Sequence, residues 1–251
     1  MSRLRIVHDT IYRYRKAVTF GPHRLVLRPR EGHDVNVEQM TFEVQPSFEL
    51  AWSRDVFSNS IATLTLTAPA DVLHIRSVVV VDRADFPSRE APRVHHTDYP
   101  VTYDPLEACM ASAYRALAFP DDEHAVRSFV FETLALPANG DVGGVLSTLN
   151  ARIKERFKYR RREQKGVQSP AETLSLESGS CRDVATLFME CARVLGIAAR
   201  FASGYLDCPA SEAGRAATHA WAEVYLPGAG WCGFDPTLGE TTSWKHVVVG
   251  V

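Results

Sequence analysis

The sequence of 251 residues lacks the long apolar runs that membrane-spanning and exported proteins carry. No uninterrupted stretch approaches the roughly 20 apolar residues that a transmembrane helix needs. The N-terminal residues turn polar too early to form the apolar core of a signal peptide. These two absences predict a cytoplasmic protein that has no membrane partner.

Cysteine is also sparse, with five residues and no Cys-x-x-Cys pair. An odd set of widely spaced cysteines argues against a disulfide framework and against a zinc site made of thiolates. We therefore expect at least one free thiol, no metal and no cofactor. The five residues are Cys109, Cys181, Cys191, Cys208 and Cys232.

A large excess of either charge is absent too, because 28 basic residues nearly balance 30 acidic ones and leave a net charge of −2. That balance argues against a general binder of polyanions such as nucleic acid. The short basic cluster Lys158–Arg162 is weak evidence for such a partner, and a solvated loop or helix end explains it better. The hydrophobic content of 45% is that of an ordinary globular protein, whose oligomeric state the sequence leaves open.

The first third of the chain has the pattern of β-strands. Apolar and polar residues alternate in short runs that Gly, Pro, Asp and Asn separate, as in antiparallel sheets. This pattern predicts a small antiparallel β-sandwich domain over residues 1–82. A segment rich in proline and charge, residues 83–105, follows as a linker. The predicted strands cover residues 5–8, 10–14, 35–44, 61–66 and 73–81.

Helices and then strands follow, so residues 106–251 are predicted to form one α+β domain. Cys181–Leu195 is the clearest helix, because its apolar residues form one stripe and Gly196 ends it. The sequence stops inside the strand-like run Val247–Val249, which indicates either a truncated chain or a last strand open to a partner. The remaining predicted elements are helices at 106–119, 123–136 and 141–157 and strands at 199–205, 219–226 and 231–235.

Cys181 follows Ser180 and opens the clearest helix. The first N–H groups of a helix have no partner within it and favour negative charge. A thiolate there is stabilised, so we expect a lowered pKa and a nucleophilic sulfur at neutral pH. The same N–H groups could hold a developing oxyanion. A free cysteine is more often a small buried apolar residue, and that interpretation suits Cys191 within the apolar stripe.

His219 and Asp235 lie on two strands that a Pro-Gly turn joins, so their contact depends on the register of the hairpin. Pairing Tyr225 with Trp231 places both side chains on one face, and a shift by one residue separates them. We predict the first register, through a five-residue loop over 226–230 or through a bulge. Taken singly, the histidine could be structural and the aspartate a turn residue.

Four segments, which contain Cys181, Gly196, His219 and Asp235 in that order, closely resemble motifs of the transglutaminase-like superfamily in its bacterial members. The N-terminal segments 8–14 and 24–29 look like the β domain that precedes the core in those proteins, so the resemblance covers nearly the whole chain. It implies a papain-like, transglutaminase-like core in which the cysteine helix packs on an antiparallel sheet. The four segments cover residues 179–183, 196–205, 218–225 and 230–237.

By this resemblance Cys181 is the nucleophile, His219 its general base and acid, and Asp235 the residue that orients the imidazole. Members of the family cleave or exchange amide bonds of peptides or proteins through a thioester. Water as the acceptor gives a peptidase or amidase, and an amine gives a transglutaminase. Tyr159 and Trp221 are candidates to line the acyl site, although packing is the commoner role of such aromatics.

Two further implications concern calcium and a possible loss of activity. No acidic loop resembles a calcium site, so the calcium dependence of animal transglutaminases is not expected here. A catalytically inactive binding module of the same fold is the alternative from another class. The intact set of three residues argues against it.

Overall fold

A computed structural model of the protein describes residues 2–83, 97–134, 140–207 and 218–251. The chain forms two compact units and passes between them more than once. The first unit contains residues 1–89, 203–218 and 245–251, and the second contains residues 90–202 and 219–244. Most of the predicted linker, residues 84–96, lies outside the described residues, as does Cys208.

Two three-stranded antiparallel sheets form most of the first unit. In one sheet the sixth strand lies between the first and third, and in the other the fifth lies between the second and fourth. Leu64 of the fifth strand packs with Leu73 and Ile75 of the sixth in a common core, which confirms the predicted sandwich. The strands are β1 (Ser2–Val18), β2 (His23–Leu25), β3 (Val35–Gln45), β4 (Phe48–Arg54), β5 (Ser60–Leu66) and β6 (Ala70–Arg83).

The second unit begins with four short strands interleaved among helices. Side-chain caps fix where two helices begin: Asp104 Oδ1 accepts from Leu106 N at 2.8 Å, and Asp141 accepts from Gly143 N and Gly144 N at 3.2 and 3.0 Å. In chain order the elements are β7 (Asp98–Tyr99), α1 (Pro105–Arg115), α2 (Glu123–Thr133), β8 (Gly140–Asp141), α3 (Val142–Arg156), β9 (Lys158–Tyr159), α4 (Pro170–Leu176), β10 (Ser178–Gly179) and α5 (Cys181–Val194).

An antiparallel sheet completes the chain, in the order β14-β13-β12-β11-β15. The boundary between the two units falls inside β11, after Ala202. The strands are β11 (Ala199–Leu206), β12 (His219–Leu226), β13 (Gly230–Asp235), β14 (Glu240–Thr241) and β15 (His246–Gly250). In the described part of the chain, no helix has the length and apolarity needed to cross a membrane.

The apolar stripe of α5 packs on the strands β12 and β13. Leu187 and Phe188 of the helix share one buried core with Val224 and Phe234 of the strands, and the two phenylalanine rings stack with centroids 5.3 Å apart. Each such side chain contributes about 2 kcal/mol of transfer free energy when it leaves water. The predicted packing of the cysteine helix on an antiparallel sheet is therefore confirmed, and the position of its N-terminus over the sheet is fixed.

The last strand, β15, lies at the edge of this sheet, and whether it pairs with a partner stays a prediction. Within the first unit it pairs antiparallel with the second half of β11, through Ser203–Leu206. On its other edge the Val248 carbonyl accepts from Arg30 N at 2.8 Å. These contacts join residues that are far apart in the sequence, so the local sequence does not encode them.

Candidate active site

A buried carboxylate holds the turn that precedes Cys181, the first residue of α5. The backbone N–H and the hydroxyl of Ser180 both donate to Asp183 Oδ2, at 2.8 Å each. Asp183 Oδ1 accepts from Arg162 Nη1 and from Gln168 N, also at 2.8 Å each. Burial by itself would raise the pKa of Asp183, but these hydrogen bonds hold the pKa below its ordinary value. A fully satisfied carboxylate therefore fixes the start of the helix.

Gly179 allows the chain to pass this carboxylate at close range. A Cβ at this position would lie 2.8 Å from the Cβ of Asp183 and 2.9 Å from Gln168 Oε1. Neither neighbour can move freely, because Asp183 is buried within its four hydrogen bonds. Three residues of the segment 179–183 thus have a structural role. Gly179 leaves room for the carboxylate, Ser180 caps the helix, and Asp183 holds the cap in place through hydrogen bonds.

The hairpin of β12 and β13 adopts the predicted register. Tyr225 pairs with Trp231, and regular pairing continues to Ala222 and Phe234 without a bulge. Leu226 and Gly230 add one pair to the ladder. The turn that joins the strands is therefore three residues long, 227–229, and not the five residues expected from the sequence.

This register places His219 and Asp235 in direct contact. The distance from His219 Nε2 to Asp235 Oδ2 is 2.6 Å. The other carboxylate oxygen, Oδ1, accepts from Thr237 N at 2.9 Å and from Leu238 N at 3.3 Å. Asp235 is fully buried, and the turn that follows it holds its carboxylate still. The imidazole therefore has one ring orientation relative to the sheet.

The same imidazole forms a side-chain hydrogen bond with Cys181. Because Nε2 faces Asp235, Nδ1 is the nitrogen that meets the sulfur. Burial of the ring lowers the pKa of His219, but the hydrogen bonds and charges of Asp235 and Cys181 outweigh burial and raise it to about 9. The three residues singled out in the sequence thus form one hydrogen-bonded row, in which the histidine favours its cationic form at neutral pH.

Comparison with known proteins agrees with this geometry. Residues 137–236 match the model of the transglutaminase-like superfamily, and residues 4–82 match the bacterial transglutaminase-like N-terminal region. The chain belongs to the transglutaminase-like superfamily. An uncharacterized protein of Mycobacterium tuberculosis is 32% identical over 268 residues, which span 99% of this chain and 82% of the relative.

More distant similarities extend over the same length of this transglutaminase-like chain. An uncharacterized protein of Mycobacterium leprae is 24% identical, over 100% of this chain and 88% of the relative. The crystal structure of a putative cysteine protease from Cytophaga hutchinsonii has a TM-score of 0.74 at 17% identity, and the similarity covers 99% of this chain and 80% of that protein. At that identity the likeness establishes a shared fold.

The two aromatic candidates for the acyl site lie in different surroundings. Tyr159 is 55% exposed and sits on β9, beside the residue pair that leads into Cys181. Burial and the charge of Cys181 raise the pKa of its phenol. Trp221 is fully buried, with its ring centroid 6.3 Å from that of His219. Tyr159 is therefore exposed, whereas Trp221 packs beside the imidazole.

The other described cysteines differ from Cys181 in exposure and surroundings. Cys191 is fully buried in the core, as expected, and burial raises the pKa of its thiol. Burial also raises the pKa of Cys232, to about 11. Cys109 is exposed on α1. Cys181, with partial exposure, is the described cysteine that is hydrogen-bonded to an imidazole.

Sequence reasoning did not identify the group formed by Asp183, Arg162 and Gln168. Ser180 and Asp183 have the spacing of a capping box, and this signal could have identified the aspartate. Arg162 had been assigned to a solvated basic cluster, but it is mostly buried and pairs with Asp183. Nothing local reveals that pairing, because 21 residues separate the two partners in the sequence.

Proposed function

We propose that this transglutaminase-like protein is a cysteine-dependent hydrolase, a peptidase or amidase that cleaves peptide-like amide bonds. The observation that carries the proposal is the row of Cys181, His219 and Asp235, with 2.6 Å between His219 Nε2 and Asp235 Oδ2. A nucleophile beside a base, and a base oriented by a third group, is the arrangement that amide cleavage requires. Cys181 is partly exposed, so a substrate can reach its sulfur.

In the first step the Cys181 sulfur attacks the carbonyl carbon of the amide, and a C–S bond forms. The carbonyl electrons move to oxygen, where backbone N–H groups in the first turn of α5 offset the charge. The C–N bond then breaks, and the leaving amine takes the proton from His219 Nδ1. The products of this step are a free amine and a thioester on Cys181.

The second step releases the acyl group. Neutral His219 takes a proton from water while the water oxygen attacks the thioester carbon. The C–S bond breaks, the sulfur leaves as a thiolate, and the carboxylic acid departs. His219 again carries its proton, so the starting charges are restored. If an amine takes the place of water, the same residues form a new amide, which is the transglutaminase reaction.

Alkylation with iodoacetamide at mildly acidic pH tests the activated nucleophile, with Cys109 as an exposed internal control. Peptide mass spectrometry follows both thiols in one reaction. Cys181 is expected to react about tenfold faster or more, because its sulfur is hydrogen-bonded to the His219 imidazole, which is charged at this pH. The His219→Gln variant should remove most of that advantage. Equal rates for Cys181 and Cys109 in the unaltered protein would overturn the proposal.

A second experiment separates hydrolysis from transfer. A peptide library is incubated with the protein, with and without a primary amine, and the products are compared with those of the Cys181→Ala variant. Hydrolysis predicts new carboxyl termini whether or not the amine is present. Products that carry the amine would show that the protein is a transamidase and not a hydrolase. Rapid alkylation of Cys181 without any peptide product would favour a binding module.

A further inference from the structure

A basic segment runs directly beside the proposed nucleophile. The short strands β9 and β10 pair in parallel, which sets Tyr159 next to Gly179, two residues before Cys181. Arg160 N then donates to the Gly179 carbonyl at 2.8 Å. The arginines that follow therefore leave the sheet next to the start of α5, and not at a distance from it.

The far end of this segment is anchored as well. Arg162 reaches the buried carboxylate of Asp183 at 2.8 Å. Arg182, which follows the proposed nucleophile, donates from Nη2 to the carbonyls of Arg162 and Gln164 at 3.5 and 3.3 Å. Residues 160–164 are thus held at both ends against the first turn of the helix. The backbone of this segment therefore runs beside the first turn of α5, next to Cys181.

Two of the arginines keep their charge available to a ligand. Arg160 and Arg161 are exposed, and no carboxylate in residues 2–83, 97–134, 140–207 or 218–251 forms an ion pair with either. Arg162, in contrast, is neutralised by Asp183. Burial and the charge of Cys181 raise the pKa of the Tyr159 phenol, and the charges of Arg161 and Arg182 oppose that rise.

We infer that the site prefers an anionic peptide, one that carries a carboxylate within a residue or two of the amide that reacts. Arg160 and Arg161 bind this carboxylate while Cys181 attacks the amide. Guanidinium groups suit this role because their paired N–H donors match the two carboxylate oxygens. The protein as a whole has a net charge of −2 and therefore no general attraction for anions, so we assign the preference to Arg160 and Arg161. The inference rests on the proposed function, because it describes a substrate of the same nucleophile.

The test uses two peptide vinyl sulfones that differ only in Glu or Gln beside the electrophile. Their rates of addition to Cys181 are compared in the unaltered protein and in an Arg160→Gln/Arg161→Gln variant. The matched control is Arg127→Gln/Arg152→Gln, which removes two exposed arginines that pair with Glu123 and Glu155 in the same unit. Iodoacetamide, which is neutral and small, measures the nucleophile itself in all three proteins.

The unaltered protein and the control should add the Glu probe about fivefold faster than the Gln probe at low salt, with less preference in high salt. Arg160→Gln/Arg161→Gln should abolish the preference, measured as the ratio of the two probe rates, and the iodoacetamide rate corrects for any change in the nucleophile itself. Equal rates for the two probes in the unaltered protein, or a preference that survives this substitution, would overturn the inference and leave the proposed function intact. Failure of Cys181 to react faster than Cys109 with iodoacetamide would overturn both.

Discussion

The imidazole of His219 lies between a carboxylate and a thiol, and this position sets its protonation state. Burial of a histidine favours the neutral ring. Here Asp235 and Cys181 each favour the cation, and together they raise the pKa to about 9. The ring is therefore charged when it faces the sulfur at neutral pH, as a general acid for the leaving amine has to be.

The protonation of His219 can be followed directly by NMR. In protein labelled in its histidine rings, the His219 signal, identified by its loss in His219→Gln, should titrate near pH 9. Asp235→Asn removes the main carboxylate partner and should move that titration to lower pH. A His219 midpoint that does not move in Asp235→Asn would contradict this account of the raised pKa.

The sign of the pH effect on stability follows from the same values. A raised histidine pKa stabilises the folded state fully below the ordinary value of 6.5, and the contribution is lost as the pH rises through about 9. Between pH 6.5 and about 9, the free energy of unfolding should therefore fall more in the unaltered protein than in the Asp235→Asn variant.

At the scale of the element, the start of α5 is held by Asp183 and not by the serine cap alone. The carboxylate has no exposed surface and accepts four hydrogen bonds, one of them from Arg162. Removing its charge leaves a mostly buried guanidinium without its partner. The helix start, the segment of Arg162 and the position of Cys181 therefore depend on one side chain.

Asp183→Asn should lower the free energy of unfolding by about 3 kcal/mol, since it breaks a buried ion pair by removing one partner. Urea titration measures this loss, and alkylation of Cys181 should slow in the folded variant because the sulfur is less well placed. Glu155→Gln is the matched control, as it removes an exposed carboxylate 2.9 Å from Arg152. An unaltered alkylation rate in stable Asp183→Asn protein would show that Asp183 does not position Cys181.

At the scale of the whole molecule, the first unit gathers segments that are far apart in the sequence. Asn59, which is buried, accepts from Arg30 Nη1 at 2.8 Å and donates to Asp55 Oδ2 at 2.9 Å. Its side chain also accepts from Val251 N at 3.1 Å and donates to Val251 O at 2.9 Å. One amide thus links three segments of this unit.

Asn59→Ala should lower the free energy of unfolding by about 2 kcal/mol, because several partly buried groups lose their hydrogen-bond partner at once. The midpoint of urea unfolding measures the effect. Asn36→Ala, at an exposed position of β3, should change that midpoint little. If the two variants unfold at the same urea concentration, Asn59 is not a structural link in the first unit.

The elements that sequence periodicity predicts well are the long ones. The helix expected at Cys181–Leu195 is observed at Cys181–Val194, and the strand at His219–Leu226 has its predicted bounds. The two-residue strands β7 to β10 were not predicted, because two residues have no periodicity and their pairing comes from the fold. The short helix α4 was missed although Ser169 and Pro170 carry a start signal, since seven residues give little further pattern.

The faces of β12 were predicted in part. Alternation along the strand places Ala222, Val224 and Leu226 on one face, and these residues do lie in the core with α5. The same alternation places Trp221 on the opposite face, with polar and aromatic residues, yet this residue is fully buried. A strand covered on both sides does not alternate cleanly, and only packing shows which residues are covered. The cytoplasmic location, the lack of other partners and the predicted boundaries between domains stay predictions.

The sequence by itself determined the family and the α+β fold, and it identified Cys181, His219 and Asp235 as three residues whose side chains meet. It could do so because a helix start, an alternating strand and a turn are local patterns, and because the register of a short hairpin has few solutions. Only the tertiary structure decided that Arg162 binds Asp183, that the last strand returns to the first unit and that Trp221 is buried. These contacts join residues that are distant in sequence, and their energies depend on burial, which a linear pattern does not specify.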